Sequence, residues 1–290
     1  QDGQPAQYIV PLIHAEKIIG ALAVLHPQGF SQSSQEFIQR LAGRAAVAVE
    51  NARLYQAVEY ANEAKSQFIS IVTHELRIPL TSIKGYNDLV RQGVVGEINE
   101  QQLSFLNIIS NNVERMSTLI SDLSDISRIE RGKIHLDFSQ FELRERMAET
   151  LTSLSHKLAE KRHKLHTHIP DDLPQVYADP SRVIQILTNL VSNAWKYTPE
   201  GGEITINAKA QDERVRVEIH DTGLGISEED QEKLFTQFFR SESPEVREQI
   251  GWGLGLSVTQ RLVEIMHGKI GFYSQLGAGS TFWFTLPTQA

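Results

Sequence analysis

Phe68-Ile-Ser-Ile-Val-Thr-His-Glu-Leu-Arg-Ile-Pro-Leu80 is the stretch from which the rest of the chain is read. Its apolar residues Phe68, Val72 and Leu76 recur at helical spacing, and Leu80 and Ile83 carry the stripe onward. His74 falls between these positions and is expected to project away from the buried face. Glu75 follows it, and Pro79 removes a helical hydrogen bond one turn later, where a bend is expected. An imidazole beside a carboxylate near a kink is either a nucleophile on display or a surface histidine on a coiled coil. The remainder of the chain has to decide.

Upstream, Tyr8–Ile13 and Ile18–Leu25 are apolar runs joined by a short polar turn, which predicts a hairpin. Ser31 to Ser34 offers an N-cap, and a helix is expected from about Gln35, with Phe37, Ile38, Leu41, Ala45 and Ala48 on one side. No Pro or Gly interrupts Ala45 to Arg77, where Leu54, Val58, Ala61, Phe68 and Val72 keep coiled-coil spacing to about Val90. Gly93 and Gly96 mark a turn, and a second helix runs from about Asn99 to Glu130. Its heptad-like positions are Phe105, Ile109, Met116, Leu119, Leu123 and Ile126. A lone hairpin leaves such stripes uncovered, so a four-helix bundle from a homodimer is expected. Gly132 closes the helical part.

Downstream the pattern changes to mixed helix and strand. Ile134–Phe138 and Leu165–Ile169 read as strands around a helix from Glu142 to about Lys161. Asp179-Pro180 starts another helix, with Asp as N-cap and Pro at its first position. Ile204, Ile206 and Ala208 alternate, as do Val215, Val217 and Ile219, across the polar turn Gln211–Arg214. Ser227–Asp230 resembles a capping box. Leu254–His267 is a further helix, and Lys269–Ser274 and Ser280–Leu286 form a closing hairpin. The expected fold is a helical hairpin forming a dimeric four-helix bundle, followed by an α/β sandwich, a mixed sheet with helices on one face.

Bulk composition narrows the function. The 290 residues carry a net charge of −8, so no basic excess exists for nucleic acid. Cysteine is absent, which rules out disulfides, thiolate metal sites and thioether-linked chromophores. No apolar run is long enough to cross a bilayer. The chain is read as a soluble, cytoplasmic piece of a longer protein, whose parent could itself be membrane-anchored.

Three segments carry chemistry. Asn189, Asn193 and Lys196 fall at i, i+4 and i+7, so two amide oxygens and an ammonium share one helix face, suited to Mg²⁺ and polyphosphate or simply polar. Asp221-Thr-Gly-Leu-Gly225 supplies a carboxylate and glycines after a strand. Gly251-Trp-Gly-Leu-Gly-Leu256 places glycines where a helix begins, an anion site in many proteins. His163, His166 and His168 lie close together without obvious further ligands and read as a solvated edge.

In combination these segments resemble the sensor histidine kinases of two-component systems. His74-Glu-Leu-Arg resembles their H box and Asn189–Lys196 their N box. Asp221–Gly225 resembles the G1 box, Phe235-Thr-Gln-Phe-Phe-Arg240 the F box and Gly251–Gly255 the G2 box. The match covers about residues 60–287. Ala46–Tyr55 and the first hairpin resemble the end of a GAF sensory domain, a remnant of an input module or a dimerising cap. The division implied is 1–52 GAF-like, 53–67 coiled-coil connector, 68–132 dimerisation and phosphotransfer hairpin, and 133–290 ATP-binding domain.

The resemblance implies autophosphorylation on His74 from ATP, with Glu75 as general base, then transfer to an aspartate in the receiver domain of a separate response regulator. It implies Mg²⁺ on Asn193 with Asn189 assisting. Lys196 would neutralise phosphate, Tyr197 would lie by the adenine, and Asp221 would accept from the adenine amino group. Gly223, Gly225, Gly251, Gly253, Gly255 and Leu256 would complete the nucleotide site, and Arg240 to Gly253 would form its lid. Two residues depart from the family. Ile78 stands where members carry Thr or Asn, which implies weak phosphatase activity, and Trp252 is expected to bury itself against the lid. Two other readings remain: an ATP-binding dimeric scaffold without kinase activity, and a chaperone- or topoisomerase-like ATPase.

Overall fold

The computed structural model describes residues 5–249 and 251–289 and divides the chain into two compact units, Gln1–Phe68 and Ile69–Ala290. In the first unit, strands β1 (Ala6–His14) and β2 (Lys17–His26) pair antiparallel. Both turn residues, Ala15 and Glu16, have positive φ, the conformation a two-residue hairpin demands. Helix α1 (Gln32–Arg91) starts in this unit. Ser31 Oγ accepts from the Ser34 N–H at 3.2 Å and caps it. Val10, Ile38 and Ala42 form the small core, with Tyr8, Leu22, Val24 and Phe30 against it. The buried stripe is therefore Ile38, Ala42 and Ala46, while Phe37 and Leu41 are exposed. The expected face is turned by one residue: i, i+4 spacing from Ile38 alone meets the sheet.

The second unit contains the rest of α1 and helix α2 (Glu100–Glu130). Pro79 does not end α1, which continues through it as one helix to Arg91. Gly93, at φ 72°, closes α1, with Val94 N–H reaching Leu89 O and Gly93 N–H reaching Val90 O, a Schellman closure. Asn99 and Gln102 cap α2 reciprocally, each side chain accepting from the other's N–H. Leu80, Val113 and Ile120 form the buried seam between the two helices. Gly132, at φ 61°, closes α2 in the same way as Gly93.

The α/β part follows as β3 (Ser139–Phe141), α3 (Leu143–Glu160), β4 (Lys164–His168), β5 (Val176–Ala178) and α4 (Pro180–Tyr197). Then come β6 (Glu203–Gln211), β7 (Arg214–Asp221), the short helices α5 (Glu228–Gln231) and α6 (Pro244–Glu248), α7 (Gly255–Ile265), β8 (Lys269–Gln275) and β9 (Gly279–Pro287). The main sheet has the order β4-β6-β7-β9-β8, with β4 parallel to β6 and the remaining neighbours antiparallel. The expected α/β architecture, a helical hairpin followed by a mixed sheet with helices on one face, is what forms. Alternation explains it: Ile204, Ile206, Val215, Val217, Ile219, Phe284 and Leu286 are buried on the helix side. They meet Ile186, Leu187, Leu190 and Val191 of α4 and Leu262 and Val263 of α7.

Three expectations change. Ile134–Phe138 is not a strand, because the available partner, β5, is three residues long and pairs with Ser139–Phe141. The Asp137 N–H donates instead to Asp179 Oδ2 at 3.0 Å. Ser227 does cap α5, accepting from the Asp230 N–H, but the helix is a single turn. Ile126, expected on the bundle stripe, packs into the core of the α/β part, with Leu119 and Ile129 partly buried beside it. The end of α2 thus belongs to two packing interfaces at once.

Candidate active site

His74 and Glu75 stand on α1 with Nδ1 and Oε1 3.1 Å apart and side chains 68% and 69% exposed. A ring N–H at Nδ1 donating to Glu75 leaves the Nε2 lone pair facing outward. Ile78, one turn on, is also exposed. Its side chain holds neither donor nor acceptor.

The second group of residues is built on α4. Asp179 Oδ1 accepts from the Ser181 and Arg182 N–H groups at 2.9 and 3.2 Å, fixing where the helix starts and so its rotation. The apolar side of α4 is buried, which turns Asn189, Asn193 and Lys196 together to the other side. Asn189 Nδ2 donates to Thr259 Oγ1 of α7 at 2.8 Å. That bond directs Oδ1 toward Gly255, where a Cβ would come within 2.3 Å of it. A side chain at Gly255 would therefore push the Asn189 amide aside. Burial pulls the Lys196 ammonium below its usual pKa, with Lys157 adding to the effect and Asp122 opposing it. Burial also pushes the Tyr197 phenol up.

Asp221 ends β7, 5% exposed, paired with Ile204 and Ser280 on either side. Burial raises its carboxyl above the ordinary range, and N–H groups of Gly223 and Ser280 pull the other way. Gly223 N–H donates to Asp221 Oδ1 at 2.9 Å. A side chain at Gly223 would strike Tyr197 O at 2.4 Å, so the carboxylate and Tyr197 are drawn together across a glycine. Gly225, with φ 68°, lies against Gln275 O, which leaves no room for a Cβ.

Gly253, at φ 70°, packs on the Phe238–Phe239 backbone, and its carbonyl accepts from the Phe238 N–H at 2.9 Å. A Cβ at Gly251 would meet nothing within 4 Å. Leu256 is half-buried against the core. Arg240 donates to Val246 O and Gln249 O at 2.8 and 2.5 Å, tying the segment around α6 together. Within the expected lid, Ile250 lies outside the described residues, as do residues 1–4 of the expected GAF-like segment. Trp252 is 53% exposed, so the expectation that it buries itself is overturned.

Comparison with known proteins identifies this arrangement. A profile described as "His Kinase A (phospho-acceptor) domain" matches residues 64–132. One described as "Histidine kinase-, DNA gyrase B-, and HSP90-like ATPase" matches residues 178–290, and a GAF domain profile matches residues 3–49. The signal transduction histidine-protein kinase BarA of Escherichia coli (strain K12) is 40% identical over 248 residues, covering 81% of this chain and 26% of BarA. The sensor protein GacS of Pseudomonas syringae pv. syringae is 37% identical over 249 residues, 83% of this chain and 27% of GacS. The chain belongs to the sensor histidine kinases. Full-length ShkA, solved in complex with AMPPNP, superposes with a TM-score of 0.64 at 27% identity, over 76% of this chain and 45% of ShkA. The chain thus spans about a quarter of the length of its curated relatives. Its parts are those of a protein-histidine kinase, with an ATPase-type domain and a GAF-type N-terminus.

Seen as a histidine kinase, the structure adds residues that sequence reading passed over. Asp125 of α2 is buried and accepts from Arg182 Nη1 at 3.1 Å and from Gln185 Nε2 at 2.9 Å. Asp122, one turn earlier, is pushed up to about 6 by burial, helped by Asp125 and opposed by Lys196. Lys161 Nζ donates to Trp195 O and Lys196 O, both at 2.9 Å, closing the C-terminal end of α4. His163 Nε2 lies 3.2 and 3.1 Å from Thr198 O and Pro199 O, and no cluster of three or more His, Cys, Asp or Glu suited to a metal occurs among the described residues. No described helix is long and apolar enough to cross a membrane. An Asp–Arg pair separated by 57 residues has no local sequence signal.

Proposed function

We propose that this chain autophosphorylates on His74 from ATP and passes the phosphoryl group to an aspartate of a separate response regulator. The observation that carries the proposal is the exposed imidazole whose Nδ1 lies 3.1 Å from Glu75, which leaves Nε2 without a protein partner among the described residues. Nε2 attacks the γ-phosphorus of ATP, a phosphorus–nitrogen bond forms, and the bond to the β,γ-bridging oxygen breaks. ADP leaves with that electron pair, and Glu75 takes the Nδ1 proton as base. Phosphoryl transfer asks mainly for positioning and charge compensation, so the remaining residues act by holding the nucleotide.

Asp221 accepts from the adenine amino group, Tyr197 borders the base, and Lys196 faces phosphate. Gly223, Gly225, Gly251, Gly253, Gly255 and Leu256 line the nucleotide, and Arg240 holds the lid through Val246 and Gln249. The residues fit Mg²⁺: Asn189 Oδ1 is directed to one side by the bond of Nδ2 to Thr259, and the Asn193 side chain makes no hydrogen bond among the described residues. Two amide oxygens without a carboxylate suit a cation held chiefly by substrate phosphates. Mg²⁺ bound there would neutralise charge on the phosphate oxygens.

We divide the chain into 1–52, 53–67, 68–132 and 133–290, with the hairpin as the homodimer interface and the cytoplasm as the site of reaction. Ile78 cannot orient water, so dephosphorylation of the regulator is expected to be slow. Incubation with Mg²⁺ and γ-labelled ATP should give acid-labile, alkali-stable label on the protein, and α-labelled ATP should give none. Nucleotide binding without label would instead support a scaffold.

A further inference from the structure

Gly255 and Thr259 lie one turn apart on α7 and straddle the amide of Asn189 on α4. Thr259 is 2% exposed and its Oγ1 accepts from Asn189 Nδ2 at 2.8 Å. Gly255 leaves room for Asn189 Oδ1 where a Cβ would sit 2.3 Å away. The amide is therefore seated at both ends: a hydroxyl claims its nitrogen and a missing side chain admits its oxygen. An asparagine amide on a helix otherwise turns about χ2 over a broad range. The seat removes that freedom, and it does so with two α7 residues, only one of which lies in the glycine motif.

We infer that Thr259 is a positioning residue for the divalent cation, holding the Asn189 amide in one orientation with Oδ1 beside the N-terminus of α7. This rests on the nucleotide-site reading above and extends it to a residue that the glycine and asparagine motifs do not contain. Supporting groups of this kind orient the ligating atom without touching the ion, and their loss weakens metal affinity while sparing the remaining contacts. Thr259→Val keeps the shape and removes the acceptor. Thr259→Ser keeps the acceptor and removes a methyl group.

The test is calorimetric binding of AMPPNP, a non-hydrolysable ATP analogue, across a series of Mg²⁺ concentrations and in EDTA. Thr259→Val should raise the half-saturating Mg²⁺ concentration about tenfold and leave AMPPNP affinity in EDTA unchanged, whereas Thr259→Ser should stay within about twofold of wild type. Gly255→Ala, which crowds Oδ1 from the other end, should move the Mg²⁺ requirement in the same direction and provides a second arm if the valine variant does not fold. Wild-type Mg²⁺ dependence in Thr259→Val, or equal loss with and without Mg²⁺, overturns this inference alone. Absence of Mg²⁺-dependent AMPPNP binding by the wild type overturns the nucleotide-site reading and this inference with it.

Discussion

Helix α4 and the hairpin helices α1 and α2 are each written with an apolar stripe, and the fold treats the two stripes differently. On α4, Val183, Ile186, Leu187, Leu190 and Val191 are at most 1% exposed. On the hairpin, Ile71, Leu76, Ile78 and Ile83 of α1 and Phe105, Ile108, Ile109 and Met116 of α2 are between 41% and 56% exposed. The nucleotide-binding part completes its core within one chain. The hairpin completes only the seam of Leu80, Val113 and Ile120 and leaves these apolar side chains of α1 and α2 uncovered, as an association surface would. One region is a finished scaffold, while the other carries the exposed His74 on an unfinished one.

The contrast can be broken most severely at the hairpin. Replacing Phe105 and Ile109 together by Glu should convert a dimer into a monomer in sedimentation equilibrium, with the thermal transition of the α/β part retained. A dimer that survives both charges would place the interface elsewhere. Within α4, Leu187→Ala should cost about 2–5 kcal/mol in denaturant unfolding, because a buried side chain leaves a cavity that the sheet cannot refill. A loss below about 1 kcal/mol would mean that this core is looser than its burial implies. The end of α2, where the two regions meet, is intermediate. Asp125→Asn removes the charge that satisfies Arg182, whose side chain is 20% exposed, and should cost about 1–3 kcal/mol.

Much of this was legible in the chain itself, for reasons that differ between regions. The alternation of β6 and β7 and the Asp179-Pro180 helix start are local signals, and they specify local structure correctly. His74 stands out because it is polar at a helical position beside apolar ones, and the glycines at 223, 225 and 255 mark places where the backbone or a side chain comes too close for a Cβ. What could not be read depends on contacts between distant segments. Ile134–Phe138 has strand composition but no strand to pair with. Phe37 and Leu41 have core composition, yet the two-stranded sheet is met by Ile38 and Ala42. Ile126 fits a bundle stripe but is claimed by the α/β core, and Thr259 meets Asn189 only when α7 packs on α4.

The central claim is that His74 receives the phosphoryl group that the nucleotide-binding part supplies. The direct measurement compares wild type with His74→Gln after incubation with Mg²⁺ and γ-labelled ATP, with AMPPNP binding measured on both. The account predicts loss of the acid-labile label in the variant, with nucleotide affinity unchanged. Label that persists in His74→Gln would contradict it.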